Sequence, residues 1–66
     1  MVHVIILNPK RIEYEVENVK YILDIFKKLN INLDGYIALK NGKPVPEDDP
    51  IDENSTLELL QVFSGG

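Results

Sequence analysis

The stretch that decides the fold is Leu57-Glu58-Leu59-Leu60-Gln61-Val62-Phe63-Ser64-Gly65-Gly66. Leu57 to Val62 reads as a short apolar strand, and the residues after it shrink to a diglycine. In the strand, Leu57, Leu59, Gln61 and Phe63 share one side, and Glu58, Leu60 and Val62 share the other. Glycine has no Cβ, so a backbone ending Gly65-Gly66 can pass through a channel that a larger residue would block. With Gly66 closing the chain, its carboxylate is expected to be free and unhindered, a group that a partner enzyme can activate. Terminal glycines are also common as inert tails or linker scars. Here only Phe63 and Ser64 separate them from the strand, whereas a scar is usually longer and richer in Gly and Ser.

Working outward, 66 residues make one domain, and a chain this short buries only about 60% of its unfolded surface. There is no cysteine, hence no disulfide, thiolate zinc site or iron–sulfur cluster, and 44% hydrophobic residues must supply the core. Any sulfur the protein handles cannot sit on a side-chain thiol of its own. Eleven acids against seven bases give a net charge of −4, which argues against nucleic acid and anionic membranes as partners. No segment reads as a targeting or membrane-spanning stretch; the longest apolar run, Val4 to Leu7, is far below the roughly 18 residues of a span. These features fit a cytoplasmic protein.

Val2 to Leu7 is β-branched and apolar at nearly every position except His3, which predicts a central strand covered on both faces. Asn8-Pro9 marks a turn. Arg11 to Val16 alternates, with Ile12, Tyr14 and Val16 on one face and Arg11, Glu13 and Glu15 on the other, a half-exposed strand closing a first hairpin. Asn18 is expected to cap a helix whose stripe is Val19, Ile22, Leu23, Phe26 and Leu29. Glu15 and Glu17 would sit near its positive end and Lys27 and Lys28 near its negative end, with Asn30 as the left-handed terminator. Tyr36 to Lys40 is a third strand ending on Asn41-Gly42, the strongest hairpin signal in the chain. Lys43-Pro44-Val45-Pro46 continues extended, and its prolines limit it to an edge or to irregular backbone. The expected class is α+β: a mixed four-stranded sheet with one helix on one face, in a domain spanning residues 1–63 with residues 64–66 as a flexible tail. If Leu57 and Leu59 face the helix, Leu60 and Val62 turn outward, joined by Ile5 and by Ile37 or Leu39. An apolar patch there, beside Phe63 and the tail, would be a docking surface.

At this point the residues resemble a known family. Asn54-Ser55-Thr56-Leu57-Glu58-Leu59 running to Gly65-Gly66 looks like the end of a ubiquitin-like β-grasp protein. Leu60-Gln61-Val62-Phe63-Ser64-Gly65-Gly66 is similar to the ThiS sulfur carriers of thiamine biosynthesis, and Lys40-Asn41-Gly42-Lys43-Pro44-Val45-Pro46 to that family's asparagine-centred turn and Val-Pro step. The resemblance spans nearly the whole chain. It departs at Glu53-Asn54-Ser55, where related carriers often have an Asp-Gly-Asp turn, and at Lys40, where they often have an apolar residue.

The resemblance implies that a ThiF- or MoeB-like enzyme uses ATP to adenylate the Gly66 carboxylate. A persulfide from a cysteine desulfurase or similar donor then converts it to a thiocarboxylate, and a ThiG-like thiazole synthase accepts the sulfur. Ser64, Gly65 and Gly66 would thread into the partner's active site, with Leu60, Val62, Phe63, Ile5 and Leu39 docking the domain. The protein would be a cosubstrate and not an enzyme, binding no cofactor itself. The same features fit a MoaD-type carrier for molybdopterin, an archaeal modifier that joins its diglycine to lysines, or a ubiquitin-like interaction module with an inert tail.

Other groups read more simply. Glu47, Asp48, Asp49, Asp52 and Glu53 lack the spacing and glycine of a calcium loop and read as a solvated loop able to steer a basic partner. His3, the only histidine, reads as a strand residue on the open face, and Ser64, with no base arranged for it, as a small spacer. Lys27, Lys28 and Lys43 are surface lysines open to conjugation.

Overall fold

In the computed structural model, residues 1–62 are described; Phe63, Ser64, Gly65 and Gly66 lie outside the described residues. The elements run β1 (Val2–Ile6), β2 (Ile12–Val16), α1 (Ile22–Leu29), a 3-10 turn (Leu33–Gly35), β3 (Tyr36–Lys40), β4 (Lys43–Val45) and β5 (Thr56–Gln61). The sheet order is β2-β1-β5-β3-β4. β1 and β5 are parallel, and the other neighbouring pairs are antiparallel. One helix on a mixed sheet is the β-grasp α+β fold, with five strands where four were expected.

The additional strand is β4. Asn41 and Gly42 take φ of 54° and 78°, the two positive values that a two-residue hairpin turn requires. They set Lys40 opposite Lys43 and Leu39 opposite Pro44. In such a hairpin the closing pair exchanges hydrogen bonds and the next pair does not, so Pro44 lacks an N–H only where the sheet ends. A proline-containing segment therefore pairs as an edge strand.

The helix is shorter than the apolar stripe implied. It starts at Ile22, because Asn18 is a left-handed turn residue (φ 61°) and not the cap. Val19 still reaches the core from the loop. Two of the four N–H groups that every helix start leaves orphaned are satisfied by the acidic loop. Ile22 N–H donates to the Asp49 carbonyl (3.0 Å) and Leu23 N–H to the Glu47 carbonyl (2.9 Å). The Asp24 carboxylate accepts from the Lys20 and Tyr21 N–H groups, each at 3.0 Å. These backbone bonds, Lys20's first, hold the Asp24 carboxyl below its ordinary range. Asp24 thus takes the first-turn acidic position that Glu15 and Glu17 were expected to hold. At the other end Asn30 is left-handed (φ 57°), as expected. Its N–H donates to Lys27, and the Ile31 N–H returns to the Phe26 carbonyl.

Ile22, Ile25 and Phe26 pack on Val2, Val4, Ile6, Val16, Ala38, Leu57 and Leu59, with Val19 and Ile51 closing the sides. Every one of these sheet residues falls on one side by register, and among the described residues no helix covers the other. β1 lies second in the sheet, with β5 at the centre, and the helix covers one of its faces where a central strand covered on both was expected. Ile5 points away from the helix yet is only 8% exposed, while His3 on the same side is half-exposed. Lys40 shares the core side of β3 but stands at its end, past Ala38, where half-burial leaves its ammonium a path to water. Asn54 takes φ 64° and its N–H donates to the Met1 carbonyl (2.8 Å). Asparagine thereby does the work of the glycine missing from Glu53-Asn54-Ser55.

Candidate functional site

The site grows out of the end of β5, the central strand. Leu57 and Leu59 are fully buried under α1, so Glu58 and Leu60 must face away. Near its end the strand is held from both flanks. On the β1 side Leu7 N–H donates to the Leu59 carbonyl (2.9 Å). Beyond β1 the Asn8 side chain takes over. Its Nδ2 donates to the Gln61 carbonyl (3.1 Å), and its Oδ1 accepts from the Gln61 N–H (2.8 Å). A side-chain amide carries one donor and one acceptor side by side, as a strand residue does, so Asn8 extends the ladder where Pro9 has turned the main chain away. On the β3 side Val62 N–H donates to the Gly35 carbonyl (2.9 Å). The last described residues are therefore fastened to the fold, only a few positions before the diglycine.

The open face beside this exit is partly apolar. Ile37 stands directly opposite Leu60, and Leu39 and Ile5 flank Glu58 from either side. Register thus brings Leu60, Leu39, Ile37 and Ile5 to one face. Ile37 is the most accessible at 39%, Leu60 and Leu39 are half-buried, and buried Ile5 supports the patch from within. Val62, half-buried, follows β5 at the patch's end. Phe63, Ser64, Gly65 and Gly66 lie outside the described residues.

The patch is cut and rimmed by acids: Glu58 at its centre, Glu13 and Glu15 on β2. Glu13 is engaged, its Oε1 2.7 Å from His3 Nε2 and its Oε2 3.4 Å from Arg11 Nε. The His3 hydrogen bond, then that of Arg11, holds the Glu13 carboxyl below its ordinary range. His3 is thus a cross-strand partner of a carboxylate. The acidic loop serves the helix start through its carbonyls. Among the described residues no three His, Cys, Asp or Glu gather as a metal site. Their one helix is far too short to cross a membrane.

Two positions escaped the sequence reading. From the sequence Asn8 reads only as half of a turn, and Gly35 carries no signal of its own. Asn8 carried a faint signal, a polar amide directly after an apolar strand and before a proline. Its partner is 53 residues away, which no local pattern discloses.

With this geometry the chain matches, over residues 1–63, the family of small archaeal modifier protein 2. The chain belongs to that family. It is also similar to the sulfur carrier protein TtuB of Thermus thermophilus, at 29% identity over 63 residues, covering 96% of this chain and 97% of the relative. An uncharacterized protein of Archaeoglobus fulgidus is 35% identical over 59 residues, covering 89% of this chain and 85% of its own. Family and relatives together bear out the resemblance to ThiS/MoaD-type ubiquitin-like sulfur carriers.

Proposed function

We propose that the chain is a carrier whose Gly66 carboxylate is activated by a ThiF/MoeB-like adenylating enzyme in the cytoplasm. The carboxylate attacks the α-phosphorus of ATP and expels pyrophosphate, giving an acyl adenylate. A persulfide sulfur then attacks the carbonyl and AMP leaves, forming an acyl disulfide. A thiol reduces that disulfide and frees the thiocarboxylate. The chain binds no cofactor of its own and acts as cosubstrate, with Ser64, Gly65 and Gly66 inside the partner's active site.

The observation that carries this reading is the fastening of Gln61 and Val62 by Asn8 and Gly35. It fixes the origin of the last four residues relative to the Leu60–Ile37 patch. A partner that docks on Leu60, Val62, Leu39 and Ile37 meets the end of β5 in one fixed place. The relative named a sulfur carrier supports the thiocarboxylate. The family's name supports a second fate, attack by a lysine amine that forms an amide. The ThiS-like tail favours a ThiG-like thiazole synthase as sulfur acceptor.

Intact mass spectrometry tests the proposal. With an adenylating enzyme and ATP, the full chain should gain one adenylate. After a persulfide donor and a thiol are added, it should show exchange of one oxygen for one sulfur. The chain lacking Gly65 and Gly66 should do neither. Equal modification of that truncated chain rejects Gly66 as the reactive end.

A further inference from the structure

The two edges of the sheet differ. β4 ends it with Pro44, whose missing N–H faces outward, and Pro46 follows. β2 ends the other side with no proline. His3 and Leu7 N–H groups of β1 point to β5, donating to Ser55 and Leu59 carbonyls. Alternation then turns Val2, Val4 and Ile6 toward β2, where they pair with Val16, Tyr14 and Ile12. The main-chain N–H and C=O groups of Glu13 and Glu15 are left facing outward. Among the described residues nothing hydrogen-bonds them there.

The two sides of this edge have different chemistry. On the helix side Ile12 and Tyr14 are 41% and 39% exposed, although they sit on the face that elsewhere forms the core. The short helix covers β1, β5 and β3 and leaves these two uncovered. On the open side Glu13 and Glu15 project. A charged edge usually prevents pairing with another copy. That holds here: antiparallel pairing of two β2 strands would set carboxylates against carboxylates. The same pattern favours a strand of opposite charge.

We propose that the β2 edge binds an extended segment of a partner protein in which basic and apolar residues alternate. The segment adds a sixth strand, its main chain pairing with Glu13 and Glu15. Its lysines or arginines stand against the Glu13 and Glu15 carboxylates, and its aliphatic side chains cover Ile12 and Tyr14. The main-chain edge of β2 is two strands from β5, which lies beyond β1, while its Glu13 and Glu15 side chains rim the Leu60–Ile37 patch.

The test is an NMR titration of the full chain with the capped peptide Lys-Val-Lys-Val-Lys-Val-Lys, watching amide shifts and hydrogen exchange. The expected result is shifts centred on β2, with slowed exchange at the Glu13 and Glu15 amides. The block peptide Lys-Lys-Lys-Lys-Val-Val-Val and the alternating Glu-Val peptide should bind more weakly. Glu15→Lys should weaken the Lys-Val peptide about two- to fivefold and strengthen the Glu-Val peptide by a similar factor. Glu15→Pro, which removes one outward donor, should abolish the slowed exchange. If that variant does not fold, the charge reversal still decides the matter. Equal binding of block and alternating peptides overturns the proposal, since charge alone would then suffice. Shifts centred on Leu60 and Ile37, or self-association of the chain through β2, overturn it as well.

Discussion

Leu59 and Leu60 are neighbours in one strand and of one residue type, yet they belong to opposite sides of the sheet. Leu59 is fully buried beneath Phe26 and Ile25, while Leu60 pairs with Ile37 on a face that no helix covers. The first side is closed by the chain's own helix. The second is a row of aliphatic residues broken by Glu58 and rimmed by Glu13 and Glu15. Residue type does not separate a core from a docking surface here. Which side the single helix occupies does.

The strongest way to break this contrast is truncation on each side. Leu59→Ala should cost about 2–5 kcal/mol in a urea melt, because transfer energy is lost and a cavity is left. Leu60→Ala should cost less than about 1 kcal/mol. Equal losses would mean that the open side also works as core. The reverse order should appear in partner kinetics. Leu60→Asp should lower kcat/KM for adenylation about tenfold with the fold intact by circular dichroism, a difference of about 1.4 kcal/mol. Unchanged kinetics would remove the patch from the docking account.

Asn8 holds the end of β5, the strand that carries both Leu59 and Leu60, and its replacement sharpens the comparison. Asn8→Ala removes two hydrogen bonds and should cost about 1–2 kcal/mol. Exchange should quicken first at Gln61, with the Leu57 and Leu59 amides still protected. Uniform loss of protection would make Asn8 an ordinary stabilising residue with no special hold on the end of β5.

The smallest expected effect is electrostatic, with one carboxylate for each side. Asp24 starts the helix and Glu13 lies on the open face, and both are depressed in the folded state. A depressed acid stabilises the fold above its ordinary value, and that contribution is lost as the pH falls through the lower native value. Stability should therefore decline on the acid side of the ordinary carboxylate range. Asp24→Asn should flatten part of that decline and leave neutral pH to alkaline behaviour parallel to wild type. Both groups are solvent-exposed, so the effect should shrink with added salt.

The sequence carried much of this because some signals are local. The alternation from Leu57 to Gln61 announces which residues go inward, and Asn41-Gly42 and Asn30 announce a hairpin and a helix end. Tyr36–Lys40 appears at the residues expected. What escaped is held by distant partners. The helix start was misplaced because its first N–H groups are satisfied by Glu47 and Asp49 carbonyls more than twenty positions away, not by an adjacent cap. β4 was discounted for a proline that only its edge position makes harmless. The role of Asn8 depends on Gln61 arriving beside it, and arrival is a property of the finished topology.

One recurrent detail bears on the entropy of folding. Asn18, Asn30, Asn41 and Asn54 all adopt left-handed backbone, a conformation for which many chains spend glycine. Asparagine wanders through fewer conformations than glycine before collapse. Each such bend therefore surrenders less disorder when the chain condenses, by up to about 0.4–1 kcal/mol, reduced by residual steric discomfort. In a domain whose sequence has no cysteine to crosslink it, four bends set this way lower the disorder that must be surrendered on folding.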